Sequence, residues 1–289
     1  MFDTERIALV TGASRGVGKG VAAALGDAGR TVYVTGRSSG TSTYATGGTI
    51  EQTAALVDRR GGRGIPVRCD HTNDADVRAL FDRIRDQHGR LDILVNNVWG
   101  GYGGWHEKRY AEMLAPFWDQ PFDLYDAAMT AGVRAHFTAS ALAVPLMGAG
   151  GLIATISFFA GSYPRPGDDV VYTMAKAADD RMMVSMAATL RERGITCVAL
   201  YPGLVSTELV LATQDAGFDM STAETPEFTG RVIAALAADP DRLVLSGAVI
   251  PVAELAAHYD VTDVDGSRPV SRRPEYERDV IPPVAWPRH

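Results

Sequence analysis

The feature that most constrains this chain is a glycine-rich turn set between a short apolar run and a segment of helical period. Ile7 to Thr11 reads as a buried strand, and Thr11-Gly12-Ala13-Ser14-Arg15-Gly16-Val17-Gly18 leaves it. Val17, Val21, Ala24 and Leu25 then recur at helical spacing, and Gly29 stands where a left-handed C-terminal turn belongs. Glycines at such a junction let the backbone turn sharply and approach a pyrophosphate closely. The free amides and the positive end of the helix dipole hold its charge. The strand-to-helix context, more than the glycine triplet alone, marks Gly12, Gly16 and Gly18 as phosphate-site residues.

The same alternation continues along the chain. Apolar runs at Thr31 to Thr35, Ile65 to Asp70, Leu91 to Asn96, Leu152 to Ser157 and Thr196 to Tyr201 are separated by helical segments, and Ala248 to Pro251 adds a short seventh strand. Asp74 to His88 is one such helix, with Val77, Leu80, Phe81 and Ile84 on one face and Gly89 as its stop. Strands apolar throughout are buried on both faces, which predicts a doubly wound, parallel, seven-stranded α/β sheet of the Rossmann-like type. At 289 residues the chain is rather short for two ordinary domains. We expect one domain over residues 1–255 and a C-terminal extension over 256–289, with the Pro-, Arg- and Asp-rich tail beyond Asp263 as an extended arm.

Two stretches break the period. Ser38 to Gly48 is dominated by Ser, Thr and Gly and reads as a mobile loop. Val98 to Pro121 concentrates Trp99, Tyr102, Trp105, Tyr110, Phe117 and Trp118 among four glycines, an aromatic density that fits a functional loop, a satellite core or a subunit contact.

Composition excludes several classes. Hydrophobic residues make up 46% and charged residues 22%, as in a soluble globular protein. A net charge of -7 disfavours general nucleic-acid or anionic-membrane binding. No apolar run is long enough to span a bilayer, and Met-Phe-Asp-Thr-Glu-Arg lacks the order of a secretory signal, so the expected location is cytoplasmic. Cys69 and Cys197 are expected as buried free thiols, and the six histidines show no zinc-type spacing, so no metal is expected.

The end of the second strand reads Val34-Thr35-Gly36-Arg37 and lacks the acidic residue that NAD-type sites place against the ribose hydroxyl. Arg37 with Arg15 would instead clamp the 2'-phosphate of NADP(H), which is favoured over NAD(H); the alternative is two solvated surface arginines. Further on, Tyr172-Thr173-Met174-Ala175-Lys176 places a phenol and an amine one helical turn apart. A phenol is a poor proton carrier at neutral pH unless a neighbouring ammonium stabilises its phenolate, and Lys176 is placed to do so.

These motifs, in this order over about residues 5–255, resemble the short-chain dehydrogenase/reductase family. T-G-x-x-x-G-x-G matches its fingerprint, Asp70 its adenine-contacting Asp, Asn96-Asn97-Val98-Trp99 its Asn-Asn-Ala-Gly, and Tyr201-Pro202-Gly203 with Thr207 its P-G motif and nicotinamide-contacting Thr. The resemblance implies a cofactor site of Gly12, Ser14, Arg15, Gly16, Val17, Gly18, Arg37, Asp70, Asn96, Tyr172, Lys176, Pro202, Gly203, Val205 and Thr207. It implies that Tyr172 protonates a carbonyl oxygen, that Lys176 also binds the nicotinamide ribose, and that the chain forms a homodimer or homotetramer. Two departures stand out. The family's substrate-orienting Ser aligns with Phe158, leaving Ser157 as first candidate and Ser162 as second, and a one-residue shift on a strand turns a side chain to the opposite face. The family's Asn that supports a proton relay aligns with Thr130.

Within the family, V-Y-x-T-G-R after the second strand, the long aromatic loop and D-P-x-x-x-x-L-S-G-x-V resemble the dehydrogenase/reductase SDR member 1 branch. The expected activity is an NADP(H)-dependent interconversion of a carbonyl and an alcohol on a small molecule. Trp99, Trp105, Phe158 and Phe159 suggest appreciable apolar area in that substrate. The alternative is a non-catalytic NADP(H)-binding sensor or scaffold, for which the Ser and Asn departures speak.

Overall fold

The computed structural model describes residues 6–42, 44–213 and 219–281, without the side chains of Tyr102 and Trp105. The expected strands form one sheet. They are β1 Ile7–Val10, β2 Thr31–Gly36, β3 Arg63–Arg68, β4 Ile93–Asn96, β5 Leu152–Ile156, β6 Thr196–Tyr201 and β7 Val249–Pro251, in the order β3-β2-β1-β4-β5-β6-β7. Every neighbouring pair is parallel, with Ala8 between Val32 and Ile93 and Ala199 beside Val249. The order reverses between β1 and β4, and ligands of such sheets bind in the crevice beyond the strand ends at that switch point.

β1, β2, β4, β5 and β6 are buried at every residue, as their unbroken apolar character predicts. β3 begins two residues before the apolar run because it is the edge strand: Arg63, Pro66 and Arg68 face solvent, and proline is tolerated there. One face of the sheet packs on α1 Gly16–Asp27, α2 Ile50–Arg59, α10 Pro226–Ala238 and α11 Val252–His258. The other packs on α3 Asp74–His88, α7 Ala135–Ala143 and α8 Val170–Leu190. α3 starts on an Asn73 cap and ends on Gly89 at φ 65. Cys69 and Cys197 are free and buried, and burial pushes both thiols up to about 12.

Two segments differ from expectation. The aromatic stretch is partly ordered as two short helices, α4 Tyr102–His106 and α5 Tyr110–Met113, before α6 Phe122–Ala128 and a π-helical turn Met129–Arg134 that leads into α7. The tail is not an extended arm throughout. Residues 273–279 form α12 Arg273–Asp279, whose Tyr276 is 2% exposed and stacks on Phe159 with ring centres 4.7 Å apart. Arg273 closes the contact with hydrogen bonds of 2.9 Å to both Glu254 carboxylate oxygens. A single aromatic anchor in a charged helix leaves almost no periodic signal, which is why the sequence reads as a tail.

Candidate active site

The glycine turn is locked from the side of β4. Gly12 and Gly16 both lie at positive φ, 65 and 55. The Thr11 hydroxyl accepts the Asn97 and Val98 N–H groups at 2.9 and 3.2 Å, and Asn97 Nδ2 donates to the carbonyls of Thr11 and Gly12 at 2.9 and 3.1 Å. A Cβ on Gly18 would stand 2.4 Å from Asn97 Nδ2, so the third glycine is required by contact. Asn97, not Asn96, therefore staples the turn. Asn96, expected as a cofactor residue, faces the core and donates to Ser140 Oγ at 2.9 Å and Thr155 Oγ1 at 3.3 Å, because consecutive strand side chains point to opposite faces.

The mouth of the turn meets the loop after β6. Gly16 N–H donates to Glu208 Oε2 at 2.8 Å, and Lys19 Nζ lies 3.1 Å from Glu208 Oε1. Thr207 caps α9 Glu208–Ala212 through Val210 N–H at 3.3 Å, and its Cγ2 would lie 3.5 Å from a Cβ on Gly16. Val205 pairs with Glu224 in an isolated parallel bridge, which fixes the loop that carries Pro202 and Gly203, and of the predicted residues it is Thr207 that stands against Gly16.

At the far end, Arg15 Nη2 donates to Ser38 Oγ at 2.8 Å and lies 3.5 Å from Ser14 Oγ, while its guanidinium sits 4.4 Å from the centre of the Tyr44 ring. Tyr44 stacks on His106 with ring centres 4.0 Å apart, and its hydroxyl accepts from Arg37 at 3.3 Å. Burial holds the Arg15 pKa below its usual value, and nearby Arg37 adds to the effect. Arg15 Nη1 is buried without a hydrogen-bond partner. An orphaned guanidinium nitrogen beside a second arginine and two serine hydroxyls fits a 2'-phosphate, which would satisfy it. Tyr44 and His106 went unnoticed in the sequence, since one aromatic in a polar loop carries no pattern. Asp70 holds Thr72 through its N–H at 3.0 Å and its hydroxyl at 2.8 Å, and Arg37 acts on its charge.

Tyr172 and Lys176 occupy the first turns of α8, which starts where Asp169 accepts the Tyr172 N–H at 2.7 Å. Lys176 is 6% exposed. Its Nζ donates to the Ile156 carbonyl at 3.0 Å, lies 3.6 Å from Asp179 Oδ2, and stands 4.5 Å above the Trp99 ring and 6.0 Å from the Tyr172 ring. Trp99 meets Tyr172 edge to face at 5.5 Å, so the aromatic segment enters the site through this residue. Burial pushes the Lys176 amine down, and Asp179 and Asp180 oppose that shift.

The two departures have structural outcomes. Phe158 faces the Tyr172 ring at 5.9 Å, while the Ser157 hydroxyl is turned to the α8 backbone and donates to the Lys176 carbonyl at 3.3 Å. Ser162 donates to Asp180 Oδ2 at 3.3 Å and accepts from the Tyr201 hydroxyl at 2.8 Å. Both serine hydroxyls thus have partners on α8, Ser157 a backbone carbonyl and Ser162 the Asp180 carboxyl, which burial pushes up to about 6. Thr130 opens on a cleft of about 630 Å³ shared with Asp70, Thr72, Asn73, Asp74, Ala75 and Arg134. The carboxyl that faces the Lys176 amine, at 3.6 Å, is Asp179 of its own helix. The Trp105 side chain, expected in the substrate pocket, lies outside the described residues.

Glu224 is a further buried acid beside this loop. Burial pushes its carboxyl up to about 8, against the Gly203 N–H and with Asp263 adding to the rise. A folded-state pKa above the unfolded one gives stability that is complete below the unfolded value of 4.5 and is lost as pH rises toward about 8. Glu224→Gln is expected to remove that loss: a thermal melt should match wild type near pH 4.5 and exceed it near pH 9, by on the order of 3 kcal/mol in stability. Parallel melting curves at both pH values would refute the buried-acid account.

Known proteins agree with this architecture. Residues 6–216 match the family model for short chain dehydrogenases. The chain is 38% identical over 285 residues to "Dehydrogenase/reductase SDR family member 1" of Mus musculus, and equally to that of Homo sapiens, covering 92% of this chain and 85% of each relative. It is 32% identical over 225 residues to a 3beta-hydroxysteroid dehydrogenase of Mediterraneibacter gnavus, covering 76% and 72%. A short chain dehydrogenase of Burkholderia cenocepacia, solved with NADP, superposes with a TM-score of 0.70 at 25% identity over 86% of this chain and 96% of that one. A 3-oxoacyl-[acyl-carrier protein] reductase of Brucella melitensis, solved with NAD, superposes at 0.71 with 23% identity, over 86% and 95%. The chain belongs to the short-chain dehydrogenase/reductase family of oxidoreductases, and within it resembles the SDR member 1 branch.

Proposed function

We propose that this protein is an NADP(H)-dependent oxidoreductase that interconverts a carbonyl and an alcohol on a small, moderately apolar molecule. The observation that carries the reading is the buried Lys176 amine packed against Trp99 and Tyr172, with a carboxylate 3.6 Å behind it. A bound nicotinamide would supply or accept the hydride at the substrate carbon. The Tyr172 hydroxyl delivers the proton to the carbonyl oxygen in reduction and takes it back in oxidation. Lys176 favours the phenolate that remains, and its low exposure makes that charge act through a medium of low dielectric. Trp99 and Phe158 meet the Tyr172 ring and form its apolar side, and the buried Phe159–Tyr276 stack, to which the extension over 256–289 contributes Tyr276, packs behind Phe158.

The non-catalytic sensor reading draws on the turned-away Ser157 and on Thr130. Against it stands the cost of burying Lys176 beside a phenol, which a binding protein does not need. A homodimer or homotetramer would cover Phe122, Tyr125, Phe137, Met174 and Val184, all exposed on α6, α7 and α8. Among the described residues no helix is long and apolar enough to cross a membrane, and the net charge of -7 accords with a cytoplasmic protein that avoids nucleic acid.

Cofactor choice has its own test. Arg15→Ala and Arg37→Ala are each expected to weaken NADPH binding about tenfold or more while changing NADH binding little, since a charge-assisted hydrogen bond is worth about 1.5–3 kcal/mol. Unchanged NADPH-to-NADH affinity ratios in both variants would remove the arginines as phosphate ligands. Turnover of NADPH with a panel of ketones, aldehydes and quinones tests the reaction class, and absence of turnover across the panel would favour the sensor.

A further inference from the structure

His136, at the start of α7, and Asp179, on α8, are 1% and 0% exposed and form a pair that motif spacing does not reveal. His136 Nδ1 lies 2.8 Å from Asp179 Oδ1, and Nε2 lies 2.9 Å from the Val98 carbonyl. Asp179 Oδ2 accepts no hydrogen bond and lies 3.6 Å from Lys176 Nζ. Both partners of the imidazole are therefore acceptors when Asp179 is ionised, and a neutral ring has only one N–H to donate. The second bond requires a second proton on the ring. Placed there, that proton leaves one carboxylate between two cations, an arrangement that compensates Asp179 on both oxygens.

We propose that His136 and Asp179 are a proton-holding positioning pair for Lys176, with His136 an imidazolium and Asp179 a carboxylate that bridges it to the lysine amine. The charge beside Tyr172 is then set by three groups, not by the lysine alone. Titratable groups near the pair include Asp180, next on α8, and His71, in the turn after β3, with Asp70 and Asp76 acting on His71. Burial holds His71 down at about 4, so it stays neutral. Asp180 is engaged by Tyr201 and Ser162.

The rate consequence rests on the proposed oxidoreductase reading, whereas the protonation state does not. In ¹⁵N NMR of the full chain at pH 7, both ring nitrogens of His136 are expected to carry protons, and Asp179→Asn is expected to abolish this. A single protonated ring nitrogen in wild type would overturn the proposal even if the protein had no detectable turnover. For turnover, the alkaline limb of the kcat/KM profile reports loss of the cationic lysine or of the phenol proton. Asp179→Asn removes the carboxylate 3.6 Å from the amine together with the imidazolium proton on its far side; loss of the nearer, negative charge prevails and lowers both pKa values, moving the limb to lower pH. His136→Gln removes a positive charge and raises both, moving it to higher pH, each by on the order of one unit. A merely structural pair would lower rates without moving the limb. Limbs that stay in place, or move together, would overturn the proposal.

Discussion

Lys176→Met is expected to lower turnover by about 10²- to 10⁴-fold, the span that a positioned general acid contributes, and to lower stability as well. The two losses share one cause. The amine is 6% exposed, donates to the Ile156 carbonyl at 3.0 Å and faces Asp179 at 3.6 Å. Methionine fills similar volume but leaves the Tyr172 phenolate without its cation. It also leaves a buried carboxylate short of one partner, a change that costs about 3–5 kcal/mol when nothing else compensates. His136 remains on the other carboxylate oxygen, so the loss should fall at the low end of that range. Chemical denaturation with single-turnover hydride transfer separates the effects. Full activity in the methionine variant would remove Lys176 from the mechanism, and unchanged stability would mean that Asp179 is protonated in the fold.

Gly20→Ala is expected to be strongly destabilising. A Cβ there would stand 2.1 Å from the Pro226 carbonyl carbon and 2.2 Å from its oxygen, at the first turn of α10. Across the same contact, a Cβ on Gly230 would stand 2.6 Å from the Val21 Cα. Backbone meets backbone at this crossing, so no side chain can swing away. The helices must separate at a cost of about 3 kcal/mol or more, and Tm should fall by roughly 6–12 °C for a domain of this size. α1 carries Gly16 and Gly18 at its N-terminus, so cofactor affinity should fall with stability. A variant with wild-type Tm would show that α10 can retreat freely.

Where a signal is periodic or local, the sequence carried it. Buried β2 and β6, the stop at Gly89 and the glycine turn each depend on residues close in the chain, and all stand where their patterns place them. Where a single residue decides, it failed. Asn96 and Asn97 are chemically alike, and only the strand's alternation tells which one meets the turn. The same alternation sends Ser157 to the α8 backbone and Phe158 to Tyr172. His136 and Asp179 lie far apart in the chain and become neighbours only through the packing of α7 on α8, so no spacing rule could join them. α12 escaped notice because one residue, Tyr276, supplies its contact with the aromatic wall.

The most direct test of the account is NADPH oxidation with apolar ketones and aldehydes by wild type and Tyr172→Phe, side by side, with cofactor binding measured in both. We expect wild-type turnover, a loss of about 10²-fold or more in the phenylalanine variant, and an NADPH affinity that falls far less than turnover. Equal turnover in the two proteins would contradict the assignment of Tyr172 as the proton donor.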